Sequence, residues 1–244
     1  MSCSCEINCA PATLGDLVTV INGPMYAGKT TELSIQMMQH RSKRRKVMVV
    51  ISALDTRIKR YSCNALETHS EIGLIVQSSD IVTVRSIEEI PVEQYMPYDV
   101  VCIDEAQFIQ GDVYNWVLVA ALEHRKRVIV CGLNLWKDKT PVYITTMLVA
   151  SGANNRFLAS DCQRCHRKGV AIYSPQIGAY ISDDTRERLN IGRAELRGSN
   201  FDAIPEQIDV ACDTDAKIRP GGIETYAASC PACYEHIAVH GIKT

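Results

Sequence analysis

Val18-Thr-Val-Ile-Asn-Gly-Pro-Met-Tyr-Ala-Gly-Lys-Thr-Thr31 reads as a buried strand, a glycine loop and the start of a helix. Gly23-x-x-x-x-Gly28-Lys29-Thr30 is the spacing of a phosphate-binding P-loop. Its glycines let the backbone curl so that successive N–H groups face phosphate oxygens. The helix that follows presents its positive end to the same anion. The four fixed positions arise by chance in roughly one chain in a hundred of this length. The plain alternative is a Gly-Pro turn between ordinary elements. Against it stand the apolar run before Gly23 and the helical continuation Thr31-Glu-Leu-Ser-Ile-Gln-Met-Met38.

Outward from this stretch, Val47–Ser52, Ile81–Val84, Val100–Ile103 and Val128–Cys131 are apolar runs without alternation. Strands buried on both faces look like this, which predicts a parallel sheet covered by helices. The helical pattern over Asp112–His124 supplies one crossover. The fold class expected is therefore α/β: a P-loop NTPase-type parallel sheet flanked by helices. The basic run His40-Arg-Ser-Lys-Arg-Arg-Lys46 closes the first of these helices, where the final carbonyls favour cations. Residues 1–16, with Cys3, Cys5 and Cys9, read as a flexible tail. Residues 17–157 read as the nucleotide-binding domain. After Phe157, cysteine pairs, glycines and charges replace the apolar runs, so 158–240 reads as a smaller appended domain.

Composition bounds the function. The chain has 244 residues, 46% of them hydrophobic, and a net charge of −2. A sizeable core can form, and wholesale disorder is excluded. A partner that brings many phosphates selects a basic excess, and none is visible, so a nucleic acid is not expected. No run approaches the ~18 apolar residues of a membrane span. The N-terminus has neither the basic start nor the apolar stretch of a signal peptide. A cytoplasmic protein follows, with eleven cysteines as thiols or metal ligands rather than disulfides.

Three groups carry chemistry. First, Lys29 can reach β/γ-phosphates, and the Thr30 hydroxyl can ligate Mg²⁺. Second, Asp104 and Glu105 end an apolar strand. An acid at that place holds Mg²⁺ through water, the role expected of Asp104. Glu105 faces the other side of the strand end and can accept a proton from an attacking hydroxyl or water. Third, Cys162-Gln-Arg-Cys165 and Cys230-Pro-Ala-Cys233 can supply four thiolates to a tetrahedral Zn²⁺. A redox C-x-x-C would need a thioredoxin-like context that neither pair shows. Cys63, Cys102, Cys131 and Cys212 lack such spacing, and Cys102 and Cys131 read as inert core thiols. Arg57, in Asp55-Thr-Arg57 after the second strand, reads either as a phosphoryl clamp or as a surface salt bridge. Gly221-Gly222 reads as a sharp or closely approached backbone, or as a plain loop.

Four motifs together resemble the thymidine kinase 1-like family, the cellular and viral type II thymidine kinases. They are Gly-Pro-Met-Tyr-Ala-Gly-Lys-Thr-Thr-Glu-Leu33, Asp55-Thr-Arg57, Asp104-Glu-Ala-Gln-Phe108 and Gly221-Gly-Ile-Glu-Thr-Tyr-Ala-Ala-Ser-Cys-Pro-Ala-Cys-Tyr234. The resemblance covers about residues 17–175 and 218–234. It implies ATP-dependent phosphorylation of the thymidine 5′-hydroxyl, deoxyuridine being a second acceptor, with Glu105 as general base. ATP and its phosphates would fall to Gly23, Pro24, Met25, Tyr26, Ala27, Gly28, Lys29, Thr30, Thr31, Arg57, Asp104 and Gln107. Thr30 and Asp104 would hold Mg²⁺. The nucleoside pocket would comprise Met25, Phe108, Leu133, Trp136, Ser174, Gly221, Gly222 and Tyr226, with Ser174 near the thymine methyl. A zinc-ribbon-like "lasso" domain, tied by structural Zn²⁺ on Cys162, Cys165, Cys230 and Cys233, would close over the base. The resemblance also implies a homotetramer with feedback inhibition by dTTP. The interval between the two cysteine pairs is longer than usual in that family, so about residues 178–215 read as an insertion. Trp136 stands one position early for the family's aromatic residue. The other function weighed is a P-loop ATPase whose zinc module binds nucleic acid; the net charge and the lack of aromatic–basic interleaving count against it.

Overall fold

The structure, a computed structural model, describes residues 12–54, 65–66, 74–75, 80–175 and 226–240. Strand β1 (Val18–Gly23) leads through the glycine loop into helix α2 (Lys29–Ser42), and is preceded by a single helical turn, α1 (Leu14–Leu17). That turn lies at the edge of the stretch expected as a tail. Asp16 accepts from both the backbone N–H and the hydroxyl of Thr13, and Leu14 and Leu17 pack on the core. Next come β2 (Val47–Ser52), a short antiparallel pair β3 (Ala65–Leu66) and β4 (Leu74–Ile75), then β5 (Ile81–Val84). The chain continues through α3 (Val92–Tyr95), β6 (Val100–Asp104), α4 (Val113–Leu118), β7 (Arg127–Leu133), α5 (Tyr143–Ala150) and β8 (Asn154–Phe157).

Six strands form one parallel sheet in the order β5-β2-β6-β7-β1-β8. The four expected apolar runs are four of these strands. Successive side chains alternate between faces, and each face has its own core. Val20, Val50, Ile103 and Val130 meet Val113, Val117 and Leu148 of α4 and α5 on one side. Ile21, Val49, Cys102 and Cys131 meet Leu33 and Met37 of α2 on the other. Leu33 and Met37 are one helical turn apart and both fully buried. Truncating either to alanine costs about 2–5 kcal/mol. Asp112 caps α4, its side chain accepting from Asn115 N at 2.9 Å, and the helix runs on into a π-helical turn over Val119–Glu123.

Register brings the carboxyl ends of the central strands together: Gly23 pairs with Leu133, and Ile51 with Asp104. This is the edge where open parallel sheets bind ligands. Beyond β8 the chain makes antiparallel bridges Ser160–Ala171 and Tyr173–Ser229 and ends its described part in α6 (Tyr234–His240). Among the described residues, no helix is long and apolar enough to cross a membrane.

Candidate active site

The glycine loop takes the shape its residues were expected to allow. Gly28 sits at φ +77° as the N-cap of α2, a left-handed conformation that favours glycine. Gly23 is closed in differently: a Cβ there would run into the Leu158 carbonyl, because Leu158 N donates to Asn22 O at 2.8 Å. Tyr26 is also left-handed, at φ +62°. Its carbonyl accepts from Ser160 Oγ at 3.1 Å, and its hydroxyl donates to the Tyr226 carbonyl at 3.3 Å. Lys29 is buried inside the loop and donates from Nζ to the Pro24 carbonyl at 2.7 Å. Thr30 and Thr31 are half-buried in the first turn of α2.

Two carboxylates stand at the end of β6. Asp104 is buried, and its Oδ1 accepts from Glu105 N at 3.0 Å. Glu105 is half-buried in the left-handed region, φ +49° and ψ +48°. Gln107 Nε2 donates to Glu105 Oε2 at 2.6 Å, while Gln107 Oε1 accepts from Leu133 N at 3.2 Å. The Cys131 thiol is buried in β7, beside β6. Burial, then the Asp104 carboxylate, push that thiol well up; Glu105 adds to this and Lys29 opposes it. Cys131 stays protonated and hydrogen-bonds to Asp104, a donor rather than a nucleophile. Burial likewise raises the Cys102 thiol, in keeping with the inert role expected of both.

Of the residues expected around a nucleoside, Met25 and Trp136 are half-buried against the core cluster that contains Leu133. Phe108 is nearly buried, and its carbonyl accepts from Ser52 Oγ at 2.8 Å. The buried Ser174 hydroxyl accepts from Met25 N at 2.8 Å, so it touches the P-loop backbone directly. Tyr226 is buried next to the cysteine pair it precedes. Arg57, Gly221, Gly222, Cys63, Cys212, the N-terminal cysteines and the insertion lie outside the described residues.

The four knuckle cysteines converge: their sulfurs all lie within 4.8 Å of one another, and Cys165 Sγ is 3.8 Å from Cys230 Sγ. A zinc tetrahedron with Zn–S of about 2.3 Å has edges of about 3.8 Å, so the cluster fits that ion. Burial opposes ionisation of Cys162, but backbone N–H groups of Cys230, Cys165 and Arg164 bring its thiol down to about 6. Arg164 Nη1 also donates to Cys233 Sγ at 3.7 Å. His166 is exposed and His236 half-buried beside a cluster already complete with four sulfurs.

A sequence model of the family described as thymidine kinase matches residues 16–234. The chain is 27% identical to a thymidine kinase of Pseudothermotoga lettingae over 91% of this chain and 96% of that one. It is 31% identical to a thymidine kinase of Coprothermobacter proteolyticus over 88% and 89%. With thymidine kinase a of Arabidopsis thaliana it shares 36% over 48% and 47%.

The chain belongs to the thymidine kinase family.

A thymidine kinase is an ATP-dependent phosphotransferase, and its reaction needs ATP with Mg²⁺. The donor set suits that ion: a threonine hydroxyl at the start of α2 and a buried carboxylate at the end of β6 are hard oxygen ligands. Several contacts were not foreseen from sequence. Asn134 Nδ2 donates to Ile172 O at 3.0 Å, and Lys139 Nζ lies 4.1 Å from the Tyr234 ring centre and 3.0 Å from Glu235. The Tyr234 hydroxyl donates to the Lys137 carbonyl. These contacts fasten the loop after β7, which carries Trp136, to the module that holds the four cysteines.

Proposed function

We propose that this chain transfers the γ-phosphoryl group of ATP to the 5′-hydroxyl of thymidine, giving thymidine 5′-monophosphate and ADP. Glu105 accepts the hydroxyl proton as the 5′-oxygen bonds to phosphorus and the bond to the bridging oxygen of ADP breaks. The loop Gly23–Gly28 cradles the phosphates with its N–H groups. Lys29 leaves the Pro24 carbonyl to meet phosphoryl oxygens, and Arg57 joins it. Thr30 and Asp104 hold Mg²⁺, which neutralises charge on the phosphates when bound. Met25, Phe108, Leu133, Trp136 and Ser174 surround the nucleoside, with Gly221, Gly222 and Tyr226 closing over the base. Cys162, Cys165, Cys230 and Cys233 hold a structural Zn²⁺ that pins the two ends of this closing segment. Excluding water in this way favours transfer to the alcohol over hydrolysis.

The observation that carries this reading is that the P-loop with its buried Lys29 and the carboxylates Asp104 and Glu105 at the end of β6 stand at the same carboxyl edge of the sheet. Glu105, half-buried and held by Gln107, is placed to take a proton from the attacking nucleophile; that the nucleophile is an alcohol rather than water rests on the family. Deoxyuridine as second acceptor, dTTP as feedback inhibitor, a homotetramer and a cytoplasmic location complete the proposal, all resting on the family.

The test is γ-labelled ATP offered with each nucleoside in turn. Label on thymidine is the expected result. Hydrolysis stimulated only by DNA or RNA would instead favour an ATPase with a nucleic-acid-binding zinc module.

A further inference from the structure

Gln107 was expected among the ATP-binding residues, yet both ends of its side-chain amide are engaged within the protein. Leu133 contributes a backbone N–H, which can only donate, so the atom facing it at 3.2 Å is the amide oxygen. That fixes the other end: the NH₂ faces the Glu105 carboxylate, 2.6 Å from Oε2. The amide has no room to turn. Gln107 is 3% exposed, and a Cβ at Gly132 would come within 2.7 Å of its oxygen. Gly132 is thus the residue that lets β7 pass close to this amide.

Glu105 needs such a support. A non-glycine residue in the left-handed region is strained by about 1–3 kcal/mol and persists only where its surroundings over-determine it. Its backbone N–H is tied to Asp104, and its carboxylate to Gln107. The charged and titratable groups that share this space are Asp104, Lys29 and Cys131.

We infer that Gln107 is a positioning residue for the phosphoryl-transfer step: it holds one oxygen of Glu105 so that the other faces the acceptor hydroxyl. The inference rests on Glu105 being the general base. Gln107 acts through Glu105 and touches no substrate. Its loss therefore slows chemistry without weakening binding, and only while Glu105 is a carboxylate.

The experiment is a double-mutant cycle in single-turnover phosphate transfer from γ-labelled ATP to thymidine, with Q107M, E105Q and the pair. Q107M should lower the transfer rate about 10- to 100-fold, as expected for a misaligned reacting group. Apparent affinities for ATP and thymidine should stay within about twofold of wild type, as they should for a group acting only in the transition state. In the E105Q background, Q107M should change the rate by no more than about twofold, the sign of two residues acting as a unit. Thermal unfolding of Q107M, read beside its rate, guards against a folding defect: a folded variant with a reduced rate is expected. G132A, which displaces the amide from outside, should lower the rate in the same direction.

Equal fold losses from Q107M in both backgrounds would overturn the inference, as would an unchanged rate in Q107M. A near-normal rate in E105Q alone would remove Glu105 as the base, a separate failure visible before Gln107 is touched.

Discussion

Glu105 holds a backbone conformation that most side chains avoid, with φ at +49°. Glycine adopts it without steric cost. Replacing Glu105 by glycine should therefore leave the fold about 1 kcal/mol more stable than replacing it by alanine, since both variants lose the bond to Gln107, and either should lower turnover at least about a hundredfold. Thermal unfolding of both variants read beside the transfer assay checks both halves; equal stability of the glycine and alanine variants would show that the left-handed residue is not strained. Ser174 offers a second test at this scale. Its hydroxyl is the acceptor for Met25 N at 2.8 Å. S174A leaves that N–H without its acceptor and should cost about 1–3 kcal/mol, with weaker ATP binding because the loop loses a tether. S174T keeps the hydroxyl and should restore both. Equal stability of S174A and S174T would mean that the tether carries no energy.

Helix α2 links the phosphate loop to the opposite edge of the molecule, and its last turn contains a titratable group. The helix end would favour a charged His40. Burial first, then Arg45, Arg127 and Lys43, lower its pKa instead, and Arg45 Nη1 lies 3.0 Å from His40 Nδ1. The folded state thus prefers the neutral ring. The unfolded chain takes up a proton near 6.5, and the folded chain only at lower pH. His40's contribution is complete above about pH 6.5 and is lost as pH falls through the folded value. Urea midpoints at pH 7.5 and 5.5 should fall further for wild type than for H40Q; parallel falls would contradict this. The same scale shows what was readable in the chain. β1, β2, β6 and β7 are buried on both faces, so their composition announced them. Strand β8, Asn-Asn-Arg-Phe, is exposed throughout and held by backbone pairing with β1, so nothing in its side chains marked it. The P-loop, the two carboxylates and the two cysteine knuckles were legible because their chemistry fixes spacing. The Gln107–Leu133, Ser174–Met25 and Lys139–Tyr234 contacts join residues far apart in sequence, and no local pattern encodes them.

At the scale of the whole molecule, two bodies of structure meet at the phosphate loop. Tyr26–Tyr226, Ser160–Tyr26, Ser174–Met25 and Tyr234–Lys137 all cross from the cysteine module to the sheet. Zinc loss should therefore be felt at the active site. C230S should bind less zinc and raise the Kd for thymidine about tenfold or more, with a smaller effect on ATP, because the loop keeps its own internal bonds. Zinc analysis beside calorimetric titration reads this, and unchanged thymidine affinity without zinc would refute the coupling. The account as a whole depends on a carboxylate at the end of β6 taking a proton from an alcohol poised before the phosphate loop. Single-turnover transfer from γ-labelled ATP to thymidine, compared between wild type and E105Q at equal zinc content and saturating substrates, tests this most directly. The expected result is label on thymidine in wild type and a rate about 10²- to 10⁴-fold lower in the variant; equal rates, or label released only as inorganic phosphate, would contradict it.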